Sequence, residues 1–558
     1  MSTGYRVASS LVPGPDIVNP AGSVLPLPAG ALASSSPFSG AETKSVPSIA
    51  HSSYTGALAL GFVHDFYNRV IVSPAAISLG NVVSAQTQNF TIWNGWLASS
   101  QTLNTITSTG TSGLTLTSPG STPLSFTPNQ TLTWTLGVST DGDPTVNASY
   151  VFAFADGESQ TLTVTGNRVT AWTSVADWST AIKERIEHKT DVMIGWSGVE
   201  MRRALRIAPR RTFRVNSTMV DQDRRIVESS LFDWSARVWA LPIFTDGQIL
   251  TSAVAQGAVS IPCSTVNRDF QVGAMAMLYN GPNSYEIVAV SAISSGALGL
   301  LHPTQNAWAS GTRLYPARIA RLLQYPKLSR ENGSLSEITA EFTIVETCDV
   351  TPNAGSASYR GYPVLELRPD ESHKRDMQYA RKTAIIDNAT GLITVDDQAN
   401  MAFPTYSHTF FLQDRAARQA FRQLLYYLQG RVGEIWVPSF VEDLSLQATV
   451  SSTSQTLIVE WSGYTRFVAE QVGRKDIRIE LNNGTVLYRR ITGSSESGAT
   501  ENISIDSPLG ISVAVTDVRQ INFLSLCRGN ADAVEIDAYM GDGVSASAIT
   551  WRVTNHDV

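Results

Sequence analysis

One phrase of this chain is written twice, and a duplicated unit constrains a fold more than any local propensity does. Residues 211–246 read RTFRVNSTMVDQDRRIVESSLFDWSARVWALPIFTD, and residues 408–442 read HTFFLQDRAARQAFRQLLYYLQGRVGEIWVPSFVE. Without a gap, Thr212, Phe213, Val215, Arg225, Val227, Leu231, Val238 and Trp239 stand opposite Thr409, Phe410, Leu412, Arg422, Leu424, Leu428, Ile435 and Trp436. One deletion later, Pro242, Phe244, Asp246 and Leu250 meet Pro438, Phe440, Glu442 and Leu446. Each copy reads as strand, polar link, amphipathic helix, strand.

The helices follow from spacing. Val227, Leu231, Trp234 and Val238 recur at helical intervals, as do Ala417, Phe421, Leu424 and Leu428. Each set predicts one apolar stripe laid against a sheet. Asp221 and Asp223 in one first turn, and Asp414 in the other, suit the positive helix end. After each helix comes Trp, Pro and Phe: Trp239, Pro242 and Phe244, then Trp436, Pro438 and Phe440. Proline removes a ladder donor, so these strands are expected at an edge. An edge needs something to pair with it, and the neighbouring subunit of a ring is the expected partner. With Trp234, these are the residues expected to carry packing and assembly.

The match runs on. Asn280-Gly281 and Asn483-Gly484 lie between strand-like runs, which predicts a type I′ hairpin in each copy. Residues 338–344 and 533–539 are read as matching closing strands. Copy one is therefore drawn at 171–348 and copy two at 361–558, joined by a small-residue linker at 349–360. Residues 178–186 are read as a short helical segment. Arg202, Arg203, Arg206, Arg210 and Arg211 then form a dense basic run, echoed by His373, Lys374, Arg375, Arg381 and Lys382. Such a run is a solvated link salt-bridged to an acidic neighbour, or a subunit contact.

Ahead of the repeats, residues 1–50 are rich in Pro, Gly, Ala and Ser and cannot build a core. They form an extended arm, either disordered or laid along a neighbour. Residues 51–170 carry short alternating runs such as 90–94, 131–136 and 150–154, split by turn residues. That pattern predicts an all-β sandwich. Trp93, Trp96 and Trp134 are either a sugar-binding platform or core residues. The loop 141–143 lacks the further ligands of a calcium site and reads as a β-turn.

Function classes narrow by exclusion. The net charge of −7 argues against a general nucleic-acid surface. No run of roughly 20 apolar residues predicts a membrane span, and the first residues lack a secretory leader, so folding in a cytoplasm is expected. Cys263, Cys348 and Cys527 are far apart and read as reduced thiols. The seven histidines fall in no metal spacing, and neither a nucleophile elbow nor a P-loop is present. Glu442 and Asp443 are adjacent, so on a strand they point to opposite faces and cannot flank one glycosidic bond. No catalytic, cofactor-binding or metal-binding residue is expected, and the chain is not expected to be an enzyme.

The runs ISLGNVVSAQTQNFTIWN, LSFTPNQTLTWTLGV and YVFAFADG resemble immunoglobulin-like sandwiches of the abnormal-spindle/HYDIN type. The tandem repeat, with RRALRIAPRRTFRVN, SSLFDWSARVWALPIF, YEIVAV and GTRLYPARIARL, is similar to tail-tip or baseplate proteins of long, non-contractile-tailed phages. That resemblance implies a mainly β chain: an Ig-like sandwich, then two tail-tube-like domains, each with one packed helix. It implies a virion protein assembled in the host cytoplasm, with no cofactor. Its subunits would close a ring around the DNA channel, as a trimer imitating six-fold symmetry rather than a hexamer. They would hold other tail-tip, tube or fibre proteins and let DNA pass without specific binding. The sequence departs from the group in lacking the iron–sulfur cysteines of some members and in its added arm and sandwich. A carbohydrate-binding, host-adhesion module is the alternative reading.

Overall fold

A computed structural model describes residues 67–557, apart from 141, 144, 348, 349, 470 and 542, together with two short paired strands, Pro26–Pro28 and Leu32–Ala33. The rest of the expected arm, and the start of the expected sandwich at 51–66, lie outside the described residues. The chain is mainly β. It forms two compact units, Met1–Arg168 and Val169–Val558.

In the first unit two sheets share one core. Strands Val70–Ser73, Gln86–Asn94, Thr131–Val138 and Leu114–Thr117 make one sheet. The other holds Ala76–Val82, Ser159–Arg168, Thr145–Phe154, Gln101–Thr109 and Leu124–Phe126. Along Thr145–Phe154 buried residues alternate with open ones, so one face turns inward. Phe90 and Trp134 from the first sheet meet Phe126 and Phe152 from the second. Trp134 stacks with Phe90 and Phe126 at 6.1 and 5.9 Å. The expected sandwich is present, and Trp134 is its centre.

The second unit holds both copies. Copy one begins with β1 (Thr170–Ala171), β2 (Ile182–Glu187), β3 (Thr190–Ile194), β4 (Glu200–Ala204) and β5 (Arg210–Val220), followed by α1 (Gln222–Trp234). It continues with β6 (Trp239–Pro242), β7 (Ser260–Pro262), β8 (Met275–Gly281), β9 (Ser284–Ser294) and β10 (Ala297–Leu300). It closes with β11 (Arg313–Leu322), β12 (Lys327–Arg330) and β13 (Leu335–Ile344). Copy two has β14 (Met377–Ile386), β15 (Thr394–Leu412), α2 (Arg415–Leu428), β16 (Glu434–Pro438) and β17 (Thr456–Glu460). Then come β18 (Asp476–Leu481), β19 (Val486–Ser497), β20 (Thr500–Ile505), β21 (Val518–Gly529), β22 (Ala533–Ala538) and β23 (Ser545–Val553).

The same pairings recur. In copy one β5 pairs with β13, β6 and β8 with β11, β12 with β13, and β7, β10 and β9 form a small side sheet. In copy two β15 pairs with β23, β16 and β18 with β21, β22 with β23, and β17, β20 and β19 form the side sheet. Even an irregularity repeats. The ladder β2·β5 ends at Glu187↔Arg210 and resumes as β3·β4 at Thr190↔Ala204. The ladder β14·β15 breaks between Arg381↔Ala402 and Thr383↔Asp397. In both, the returning strand carries three residues more across the break. The hairpin β3–β4 is therefore the counterpart of the far half of β14–β15.

Five expectations are corrected by these ladders. First, the helices open at Asp221 and Asp414, so the gapless alignment slips before the helix, and Arg225, not Asp221, corresponds to Arg418. Arg225 and Arg418 each bond through the backbone to the carbonyl of their opening aspartate. Second, the counterpart of β13 is β23, while the segment read as closing copy two, β22, corresponds to β12.

Third, the Trp-Pro strands are not edges. β6 is flanked by β11 and, in parallel, by β1. β16 is flanked by β21 and by a parallel bridge from Val364 to Trp436. The chain covers its own proline strands with short upstream segments. Fourth, the copy-one hairpin turns at residues 282–283, because Gly281 already pairs with Ser284. In copy two, Gly484 alone takes positive φ, at 88°, and its N–H donates to the Leu481 carbonyl, a wider turn than type I′. Fifth, residues 182–187 are strand, not helix. Ile182, Glu184 and Ile186 point inward and the residues between them are half-open.

Candidate functional site

The seven expected packing residues are placed inside the repeats. Trp239 lies edge-on to Trp172 at 5.5 Å, with Pro242 buried two strand positions beyond Ala240 and Phe244 against Tyr315 at 5.5 Å. Trp436 donates its indole N–H to the Tyr359 carbonyl at 2.8 Å, Pro438 is buried, and Phe440 lies edge-on to His408 at 5.6 Å. Trp234 is half-buried and donates to the Val238 carbonyl at 2.8 Å. These side chains build each copy from within.

The place with the most unusual chemistry is the seam where the copies meet. β2 of copy one pairs with its own β5 on one side and with β22 of copy two on the other. The sheet thus runs from one copy into the next. Lys183 meets Asp537 at 2.9 Å on the open face. On the inner face, Ile186 joins the core of copy two beside Leu425, Leu428 and Ile536.

Glu184 sits between those isoleucines and is buried. Its Oε1 accepts from Arg211 at 2.7 Å, and its Oε2 accepts from Arg422 of α2 at 2.6 Å. Arg422 also reaches Asp246 at 3.4 Å, and Arg418, one turn earlier, donates to Asp246 Oδ1 at 3.0 Å. Arg211 continues to Asp269 at 2.8 Å. Asp269 accepts from Arg318, which also donates to Glu346 at 3.0 Å. Arg418 and Arg422 belong to copy two, and the other six groups to copy one. Four guanidinium groups thus face four carboxylates, so the cluster is electrically balanced.

Burial pushes the Glu184 carboxyl up, but Arg422 and Arg211 outweigh it and hold it below its ordinary value. Burial likewise opposes ionisation of Asp269, and Arg211 and Arg318 hold it far below the usual range. For Arg422, burial is overcome by Glu184 and Asp246, and the guanidinium is held more firmly protonated. Glu184, Asp269 and Arg422 are thus each held in the charged form. Such a network contributes little net stability against an apolar core of the same shape. Removing one member strands a buried charge and costs about 3–5 kcal/mol.

A hairpin adds to the seam. The β3–β4 tongue of copy one lies on copy two, where Glu200 takes a two-pronged pair from Arg528 and Arg202 pairs with Glu434. Lys382 donates to the Gly195 carbonyl, and Asn555 donates to the Ser197 carbonyl at 2.8 Å. The arginine-rich run expected as a link is therefore a salt-bridged hairpin.

Sequence reading placed Arg211 in a basic run and matched Arg422 to the wrong partner. It missed Glu184, Asp246, Asp269, Arg318 and Arg418 as one cluster. The available signal was the pair Arg418 and Arg422, one turn apart on the second helix. Elsewhere, Trp93 donates to Asn129 Oδ1 at 2.9 Å and is half-buried, as is Trp96, while Trp134 is fully buried. These three do not form an open platform. Among the described residues no group of His, Cys, Asp and Glu is arranged to hold a metal ion, and no helix is long and apolar enough to cross a membrane. No family model matches the chain, and no curated protein matches it.

Proposed function

We propose that this chain is a structural subunit of a phage tail tip or baseplate, whose work is assembly rather than turnover. The observation that carries the reading is the duplicated strand order with its shared irregular ladder, fused by one continuous sheet. Two related domains per chain suit a ring in which each chain fills two neighbouring places. The resemblance stated above supplies the setting: tube-like domains around a DNA channel, preceded by an Ig-like sandwich that decorates the particle and holds tail or fibre proteins. A net charge of −7 suits a channel through which DNA passes without sticking. In this reading the protein acts without a cofactor and resides in the virion.

The test is direct. Purified chain, alone and with the products of adjacent genes, is imaged in negative stain. Closed rings with a central opening, capping tail tubes, support the reading. A chain found only as a monomer in every mixture, or hydrolysis of host wall polysaccharide on a zymogram, would overturn it.

A further inference from the structure

The seam has two sides, and each copy has both. One side is the strand-and-tongue side: in copy one it comprises β2, the β3–β4 tongue and Asp246. The other is the helix side: in copy two it comprises β22 and α2 with Arg418 and Arg422. Within the chain, the strand side of copy one meets the helix side of copy two. The strand side of copy two and the helix side of copy one are left over.

Both leftovers are open. β14, the counterpart of β2 and β3, pairs only with β15 among the described residues. β12, the counterpart of β22, pairs only with β13 among them. Met377 and Tyr379 on β14 are 39% and 61% exposed. The copy-two tongue ends in Ile385, Ile386, Leu392, Ile393 and Val395, all exposed. On the other leftover, Phe232 of α1 is 94% exposed and Tyr325 beside β12 is 86% exposed. An unpaired strand edge beside apolar side chains is a surface natural proteins seldom leave uncovered.

We propose that chains join head to tail by repeating between molecules the junction each already makes within itself. The occupant of the copy-two strand side is the copy-one helix side of a second copy of this chain. β14 of one chain pairs antiparallel with β12 of the next, as β2 pairs with β22. The tongue with Leu392 and Ile393 lies on the next copy one, as β3–β4 lies on copy two. The charges fit as well. Arg418 meets Asp246 inside the chain. Its counterpart Arg225 is exposed on α1, and the counterpart of Asp246, Glu442, is exposed after β16. Between chains, Arg225 meets Glu442. A contact that is head-to-tail rather than two-fold generates a ring when its rotation closes.

The inference rests on the self-assembly in the function proposed above and adds its two surfaces. It is tested by light scattering over a concentration series at low salt, with three variants at exposed positions. Arg225→Glu and Glu442→Arg each place like charges at the junction and raise the apparent Kd at least tenfold. The chain carrying both swaps restores the pair with reversed sign and reassembles. Leu392→Asp, at the tongue tip, also dissociates the assembly. Circular dichroism melting shows that each variant folds as the parent does. An assembly that survives all of these changes overturns this junction while leaving the ring reading standing. A parent chain that is monomeric at every concentration overturns the junction and the autonomous ring together.

Discussion

The two helices α1 and α2 hold the same place in two copies of one fold, yet they live in different surroundings. α2 buries Arg418, Phe421, Arg422, Leu424, Leu425, Tyr426 and Leu428. Among the described side chains of α1 only Val227 is buried, and Phe232 stands out in solvent. Sheet packing alone does not explain the difference, because each helix follows the same long strand. α2 has copy one over its outer face, whereas nothing described in this chain covers that face of α1. Each large apolar side chain so covered contributes about 1.5–3 kcal/mol. Position in the tandem, rather than the repeat itself, thus decides which helix is core and which is surface.

The sharpest way to break this comparison is to cut equivalent residues on the two helices. Arg418→Ala removes a buried partner of Asp246 and should cost about 3–5 kcal/mol in urea unfolding. Arg225→Ala on exposed α1 should stay within about 0.5 kcal/mol for the isolated chain. Equal costs would mean that α1 is covered after all.

Acid should act on the covered side. His188, beside the seam, and His408 are both pushed down to about 4 by burial. Their ordinary value is 6.5, so as pH falls through it the unfolded chain takes up protons first. Stability should decline from pH 6.5 towards 4, by about 3 kcal/mol per histidine at most. Glu184 acts in the same direction at lower pH, since its depressed pKa gives stability that is lost as pH falls through the folded value. Urea midpoints of the parent and of a chain carrying His188→Gln and His408→Gln should converge as pH drops, the variant having the flatter slope.

Smaller effects distinguish how the helices begin. Asp414 accepts from the Ala417 N–H at 2.7 Å, and Asp414→Ala should cost about 1 kcal/mol. Asp221 makes no such bond and sits at φ 46°. Asp221→Gly relieves that conformation and should be neutral or stabilising by under about 1 kcal/mol in thermal melts. A large loss there would show that α1 has a cap the geometry does not reveal.

The contrast also explains what could be read in advance. The repeat, the presence of both helices and the Trp-Pro strands were legible because packing residues recur at fixed spacing, but Val238, read as the end of the first helix's stripe, lies beyond α1, and Leu231 and Trp234 are only half-buried. β2 was not legible. Its inward positions are Ile182, Glu184 and Ile186, and a carboxylate on the inner face hides the alternation that marks a strand. Arg211 and, far along the chain, Arg422 together make that position tolerable. The proline strands misled for a related reason. Their flanking partners are a two-residue strand and a single bridge, too short to leave a pattern. The gapless alignment slipped because the link from Phe213 to Asp221 is longer than that from Phe410 to Asp414, while the stretch from Asp221 to Trp239 is correspondingly shorter than that from Asp414 to Trp436, so the two differences cancel.

The Lys183–Asp537 contact spans 354 positions of sequence. A ribosome adding roughly 5–20 residues per second needs on the order of 20–70 s to travel that far. Throughout that interval Ile182–Glu187 has emerged while Ala533–Ala538 does not yet exist, and over 238 positions of chain growth Glu184 waits without Arg422. A finished molecule nearby offers the same strand and the same arginines only if its own seam opens. On a crowded polysome, newly completed chains can therefore trade partners, and the product is a domain-swapped pair indistinguishable, contact by contact, from the proper fold. How fast the last residues are made is thus part of what keeps each chain closed on itself.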